Sequence, residues 1–282
     1  MQSVSTIADC RTAVAHLRSA HAGARRIAFV PTMGALHAGH LALVDEARKH
    51  ADAVVTSIFV NPLQFGANED LAKYPRTLEA DADALRAHGV ELLFTPSVDD
   101  MYPAGRAVTV TAAPHDTEFE GAIRPGHFTG VLTVVSKLFH IVQPDVAVFG
   151  EKDLQQLSLV RRMVRDLDVP IEVVAFPTVR EEDGLAMSSR NRYLAPEDRA
   201  RAARLSRALR AVRERYHAGE TDGEILLRHG RAVLEDDPQI QVDYLAMVDP
   251  RTFTRVSAAA PGSGVILAAR VGTTRLLDNI IL

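Results

Sequence analysis

The sequence predicts an α/β protein in two parts, a doubly wound parallel sheet over residues 1–177 and a smaller C-terminal α+β domain over residues 178–282. Three observations lead there. Between about residues 26 and 175, apolar runs of strand length alternate with longer stretches of helical spacing, as successive βαβ units require. The runs stop at proline or glycine, which end strands and open turns. Near Thr178 the composition turns charged and polar, and Pro196 then opens a long Arg- and Ala-rich segment. A parallel sheet wound on both faces is the Rossmann-like arrangement, which sets ligands beyond the carboxyl ends of its strands.

Taken in order, the apolar Ile27-Ala-Phe-Val before Pro31 predicts a buried strand over 26–30. Leu41, Val44, Ala47 and Ala51 then recur at helical spacing. A β-branched run over 54–60 is closed by Asn61-Pro62, residues 78–88 read as a helix, and 91–94 as a strand. Val131, Val134, Leu138 and Val142 share one helical face, and the strand 146–149 after them stops at Gly150. Leu154, Leu157, Val160, Val164 and Leu167 mark a further helix, followed by a strand over 171–175. In the second part a helix runs from Pro196 to about Tyr216, and Thr221 with Glu224 fits a capping box for another. Val242, Tyr244, Ala246 and Val248 alternate as in a half-buried strand. The uncharged stretch 256–269, broken by Pro261, Gly262 and Gly264, reads as a turn leading into a strand.

Bulk properties narrow the function. At 282 residues, 47% hydrophobic and 24% charged, the chain can bury sizeable cores. Lys+Arg total 32 against Asp+Glu 36, and the net charge of −4 argues against a nucleic-acid or anionic-membrane binder. Cys10 is the single cysteine, so an intrachain disulfide and a thiolate zinc site are excluded and a cytoplasmic location is expected. Residues 1–10 lack the basic and apolar regions of a signal peptide, and no segment has the uncharged length of a membrane span.

The chemistry is concentrated in turns that follow strands. Pro31-Thr-Met-Gly34-Ala-Leu-His37-Ala-Gly39-His40 lies between the first strand and its helix. Glycines let backbone approach a phosphate, helix-start amides favour anions, and two imidazoles three residues apart could donate to one phosphate. Taken alone, the histidines could equally be a surface pair or metal ligands. Asn61 and Gln64 follow the second strand, where amides suit a substrate with hydroxyls and a carboxylate, or merely an Asx turn before Pro62. Glu120-Gly-Ala-Ile-Arg124-Pro-Gly-His127-Phe-Thr-Gly130 precedes an apolar helix and suffices to cap it. Gly150-Glu151-Lys152-Asp153 repeats the strand-glycine-helix geometry with a cation at the helix start. Met187-Ser188-Ser189-Arg190 is a hydroxyl-rich loop with one fixed cation, suited to a polyphosphate or to helix capping.

These motifs together carry a resemblance. The His-x-Gly-His segment resembles the superfamily of nucleotidylyltransferases and class I aminoacyl-tRNA synthetases. Ile58-Phe-Val-Asn-Pro-Leu-Gln-Phe followed by Tyr74-Pro-Arg-Thr, with Arg124-Pro-Gly-His-Phe and the ending Val271-Gly-Thr-Thr-Arg-Leu-Leu-Asp278-Asn279, is similar to the pantothenate synthetase family. The resemblance spans effectively the whole chain. It implies an AMP-forming ligase that joins pantoate to β-alanine through a pantoyl adenylate, as a dimer, with Mg²⁺ bridging phosphates of ATP. It sets ATP against Met33, Gly34, Ala35, Leu36, His37, Ala38, Gly39, His40, Gly150, Glu151, Lys152, Asp153, Val179, Met187, Ser188, Ser189 and Arg190. Gln64 would contact pantoate and β-alanine, with Asn61 near pantoate and Gln156 on it. His37, His40, Lys152 and Arg190 would counter phosphoryl charge, with His40 also the proton donor, and the second domain would close over the nucleotide. Two other readings share parts of the pattern: a simple nucleotidylyltransferase, which would want more basic residues around Asn61 and Gln64, and a non-catalytic ATP sensor, which would need neither the amides nor Arg190.

Overall fold

The apolar runs become the strands of one sheet. The computed structural model describes residues 1–19, 25–66 and 69–282. In chain order it begins with β1 (Gln2–Val4), α1 (Ile7–Ser19), β2 (Ile27–Thr32), α2 (Ala38–His50) and β3 (Ala53–Ile58). A 3-10 turn (Pro62–Gln64) leads on to α3 (Leu78–Ala87), β4 (Leu92–Phe94) and the short helices α4 (Val98–Met101) and α5 (Glu120–Ile123). Then come α6 (His127–Val142), β5 (Val146–Gly150), α7 (Leu154–Asp166) and β6 (Glu172–Phe176).

The six strands are ordered β1-β4-β3-β2-β5-β6 and every adjacent pair is parallel. A parallel sheet covered on both faces needs continuous apolar strands, and Ile27 to Val30 are each fully buried. On one side of the sheet Ala28, Val30, Val54, Leu93, Val146 and Val148 pack with Val44 and Ala47 of α2. From β2 the chain winds outward through β3 and β4, then returns to place β5 and β6 on the other side of β2. The winding therefore reverses between β2 and β5, and the crevice beyond their carboxyl ends is where such sheets bind ligands.

The chain divides into two compact units, Met1–Gly150 with Leu159–Phe176, and Glu151–Ser158 with Pro177–Leu282. The second holds α8 (Pro196–His217), α9 (Gly223–Glu235), β7 (Ile240–Asp249), β8 (Thr254–Arg255), β9 (Gly264–Val271) and β10 (Thr274–Ile281). Its antiparallel sheet has the order β10-β9-β7-β8. Leu205, Leu209 and Val212 of α8 and Leu226 and Leu234 of α9 pack on Leu245, Met247, Leu267 and Leu276 of that sheet. This is the small α+β arrangement predicted.

Three details differ from expectation. The N-terminal β1 and α1 carry no signal that the apolar pattern reveals. Asp222, not Thr221, caps α9: its Oδ1 accepts the amides of Glu224 at 2.8 Å and Ile225 at 3.0 Å. An acidic cap serves better there because it adds charge at the positive end of the helix. The alternation of Val242 to Val248 also fails, because a bulge between Val242 and Tyr244 shifts the register and Leu245 to Val248 are all buried.

Cys10, on α1, is wholly buried, and desolvation pushes its thiol up to about 12. No helix of the described residues is long and apolar enough to cross a membrane.

Candidate active site

Beyond β2 the chain makes a left-handed bend at Gly34 (φ 80°) and Ala35 (φ 50°). A Cβ-bearing residue resists that conformation. The bend is held by the buried Asp81 of α3, whose carboxylate accepts the amides of Ala35 and Leu36 at 2.9 Å each and the Thr77 hydroxyl at 3.1 Å. Asp81 was not evident in the sequence, where it looks like an ordinary first-turn acid of its helix.

His37 and His40 cap α2 reciprocally. The Gly39 amide donates to His37 Nδ1 at 3.2 Å and the His37 amide to His40 Nδ1 at 3.4 Å, with the rings 4.0 Å apart. With Nδ1 accepting, a neutral imidazole carries its proton on Nε2, so each ring presents its donor on the edge away from the helix start. Ala38 is exposed, while Met33, His37, Gly39 and His40 are half-buried. The turn thus combines helix-start amides with two ring donors, a set that suits an anion.

The amides after β3 form a second layer. Asn61 is 1% exposed and its polar atoms are fully engaged. Its Nδ2 donates to Gln64 Oε1 (3.0 Å) and Gly130 O (3.1 Å), while its Oδ1 accepts from the Leu63 amide (3.2 Å) and the Tyr102 hydroxyl (2.8 Å). The Asx turn is therefore present, and it also orients Gln64, whose Nε2 reaches Met33 Sδ at 3.0 Å. Burial pushes the Tyr102 phenol above its ordinary pKa, keeping it a donor. Gly130, on the first turn of α6, lets that helix approach the same segment: a Cβ there would overlap the Leu63 carbonyl and lie 2.6 Å from Gln64 N.

Arg124 and His127 support the same turn from outside it. Arg124 donates to Glu69 Oε1 at 2.8 Å and Oε2 at 2.5 Å, and to Gln64 O at 3.1 Å. Burial alone would raise Glu69, but the hydrogen bond and charge of Arg124 hold it below the usual carboxylate range. His127 Nδ1 lies 2.8 Å from Gln64 O and its Nε2 3.1 Å from Arg124 Nη1, so Nδ1 donates to the carbonyl while Nε2 accepts. Desolvation, then the neighbouring guanidinium, lowers His127 to about 4.

The remaining predicted residues lie in the second unit, apart from Gly150 at the end of β5. Glu151–Asp153 form a 3-10 turn opening α7, with Lys152 Nζ 3.6 Å from Asp153 Oδ1 and Gln156 half-buried on the helix. Residues 179–187 form a hairpin: the Met187 amide donates to Val179 O (2.9 Å), Arg180 pairs with Ala186, and Gly184 turns the chain at φ 91°. That pairing brings Val179 and Met187 together. Ser188 then caps the 3-10 turn Ser189–Tyr193 through the Arg190 amide at 3.3 Å, while α8 starts at Pro196 with no side-chain cap. The buried neighbours Asp278 and Asn279 connect these parts. Arg180 forks onto Asp278 at 2.7 and 2.9 Å, and Asn279 Nδ2 donates to Glu151 O at 2.8 Å and Lys152 O at 2.7 Å. The signal for them was two polar residues inside the apolar run Leu276 to Ile281.

Known proteins with this sequence pattern and fold were identified. The sequence model of the family described as Pantoate-beta-alanine ligase matches residues 2–281. Pantothenate synthetase of Acidobacterium capsulatum is 53% identical, across 100% of this chain and 97% of its own. The crystal structure of pantothenate synthetase from Thermus thermophilus superposes with a TM-score of 0.94 at 52% identity, covering 100% and 99% of the two chains. Pantoate-beta-alanine ligase from Francisella tularensis, solved with beta-gamma ATP and beta-alanine, gives a TM-score of 0.80 at 32% identity over 100% and 97%. Matched in sequence and in fold from end to end, the chain belongs to the pantoate–β-alanine ligase family.

Proposed function

We propose that this protein is a pantoate–β-alanine ligase that makes pantothenate in two steps on one site. A carboxylate oxygen of (R)-pantoate attacks the α-phosphorus of ATP, forming pantoyl adenylate as the bond to pyrophosphate breaks. The amine of β-alanine then attacks the acyl carbon, the C–O bond to AMP breaks, and the nitrogen loses a proton as the amide forms. The observation that carries this reading is the topology. The His37–His40 turn and Gly150 follow β2 and β5, the adjacent strands at which the winding reverses.

The roles follow from the donors. The Nε2 edges of His37 and His40, the ammonium of Lys152 and the guanidinium of Arg190 counter the charge that spreads over phosphoryl oxygens at the transition state. His40 is assigned as the proton donor. Gln64 receives pantoate and β-alanine through an amide held at both ends, and Gln156 receives pantoate. Asn61 orients Gln64 and shapes the hydroxy-acid end. Recognition by polar side chains of this kind discriminates strongly, since a substrate lacking a hydroxyl leaves a polar partner unmet. The residues Met33 to His40, Gly150 to Asp153, Val179 and Met187 to Arg190 are assigned to ATP.

Mg²⁺ is assigned to the ATP phosphates, as is usual for an ion that keeps several waters and takes few carboxylates. Asp153 offers one such carboxylate on the Lys152 turn. A homodimer in the cytoplasm completes the proposal. The exposed segment 103–109, where Val108 is 79% exposed, supports a face that a second copy covers.

Exchange of labelled pyrophosphate into ATP tests the reading, with Mg²⁺ and pantoate present and β-alanine absent. Exchange that depends on pantoate is the expected result. Bound ATP without exchange would refute the adenylation step.

A further inference from the structure

We propose that Asn279 is a positioning residue for Lys152, working through the backbone of the turn that carries it; the proposal rests on the assignment of Lys152 to the ATP phosphates. Asn279 lies on β10, 3% exposed, in a run of apolar residues. A primary amide so deeply buried is costly unless its hydrogens find acceptors. Both hydrogens of Nδ2 go to consecutive carbonyls, Glu151 O at 2.8 Å and Lys152 O at 2.7 Å. Two bonds from one planar group to adjacent peptide units fix the orientation of those peptides as well as their distance, and so fix the direction in which the Lys152 Cα–Cβ bond leaves the turn.

The anchor is itself anchored. The Arg180 guanidinium donates to both Asp278 oxygens at 2.7 and 2.9 Å, to Asn279 O at 2.9 Å and to Gly184 O at 3.0 Å. The Asn279 amide in turn donates to Asp278 Oδ1 at 2.7 Å. Arg180 belongs to the hairpin that leads directly into Met187, Ser188, Ser189 and Arg190. Asp278 and Asn279 are therefore the place where the turn bearing Lys152 and the hairpin leading to Arg190 are fastened to one strand. Neither residue offers its side chain to a phosphate. Each holds the backbone that carries a residue which does.

The test is a double-mutant cycle on pantoate-dependent pyrophosphate exchange, using Asn279→Ala, Lys152→Ala and the pair, with thermal melts and circular dichroism alongside. Misplacing a reacting group by about 1 Å costs on the order of 10²-fold, so Asn279→Ala should lower exchange by about that factor. It should leave the KM for β-alanine near its original value. The pair should be no slower than Lys152→Ala alone, because the two changes remove one effect. Should Asn279→Ala fail to fold, Asn279→Asp keeps the volume, replaces the donor with an acceptor, and enters the same cycle. Losses that multiply in the pair overturn the proposal, as does full exchange in a folded Asn279 variant while Lys152→Ala is impaired. Full exchange in Lys152→Ala itself overturns the Lys152 assignment and this inference with it.

Discussion

Asp81 stands 46 residues from Ala35 in sequence, yet its carboxylate accepts the Ala35 and Leu36 amides at 2.9 Å each. Those two bonds hold a non-glycine residue at φ 50° directly before the histidine turn. Asp81→Asn replaces one acceptor oxygen with an amide nitrogen that faces a backbone N–H. Leaving a buried donor unmet costs about 1–3 kcal/mol. Urea unfolding should register a loss of that size, and pantoate-dependent exchange should fall as the turn relaxes. Unchanged exchange in this variant would show that the turn keeps its shape without the carboxylate.

Gly130→Ala should be more damaging than its size suggests. The new methyl meets backbone, the Leu63 carbonyl and the Gln64 nitrogen, which cannot rotate aside. Overpacking of this kind costs about 1–3 kcal/mol. The expected signature is a lower unfolding free energy with a raised KM for pantoate and β-alanine, since the turn of Gln64, the residue proposed to receive both, must move. A variant with native KM values would separate the helix contact from substrate binding.

His127 predicts a pH dependence. Its pKa is lowered from 6.5 to about 4 in the folded chain, so between those values the unfolded chain binds the proton and the folded one does not. The stability due to the neutral ring is complete above about 6.5 and is lost as pH falls toward 4. Each tenfold change in proton affinity is worth about 1.4 kcal/mol, which makes the loss on the order of 3 kcal/mol. Denaturant midpoints between pH 7 and 4 should fall for the native protein. His127→Asn should flatten that slope, and an equally steep slope in the variant would assign it to other groups.

On its proposed role at the phosphates, Arg190→Ala should slow adenylation by about 10²–10³-fold, the usual loss when one donor to developing charge is removed. Arg190→Lys should recover only part of the rate, because a point charge lacks the planar fork of the guanidinium. Pyrophosphate exchange at saturating ATP measures both. Full recovery by lysine would mean that charge alone is needed there.

Much of the fold was legible because buried parallel strands must be apolar throughout. Runs such as Ile27 to Val30 and Val146 to Phe149 stand out between polar helical faces, and Pro31 and Gly150 mark where they end. Strand β1 is short and mostly exposed, so it leaves no such trace. In α9, Thr221 and Asp222 are both competent caps one residue apart; the choice was settled by geometry, since it is the Asp222 carboxylate that meets the Glu224 and Ile225 amides. In β7 the alternation was overridden by packing: Leu245 and Met247 lie in the core shared with α8 and α9, and Ala246 and Val248 are buried as well.

The residues proposed to face ligands could be read from the sequence because they cluster in turns with unusual composition. Those that hold the turns could not. Asp81, Tyr102 and Asn279 each reach their partners across 41 or more residues, and a carboxylate in a helix looks the same whether it supports a turn or faces water; the apolar run around Asn279 marks it as buried but does not name its partners. Arg124 and His127 are intermediate: their segment was visible, but its role emerges only where both meet the Gln64 carbonyl.

Cys10 bears on how the molecule can be watched. Its sulfur is sealed in α1 and its thiol is pushed up to about 12, so at neutral pH almost none of it is the reactive thiolate. Alkylating and maleimide reagents therefore meet a protein that behaves as though it had no cysteine while it stays folded. A single cysteine introduced on either unit would be the one fast-reacting thiol, ready to carry a fluorophore or spin label without first removing a native residue. The same buried sulfur would react once the chain opens, giving the protein a built-in chemical reporter of its own unfolding.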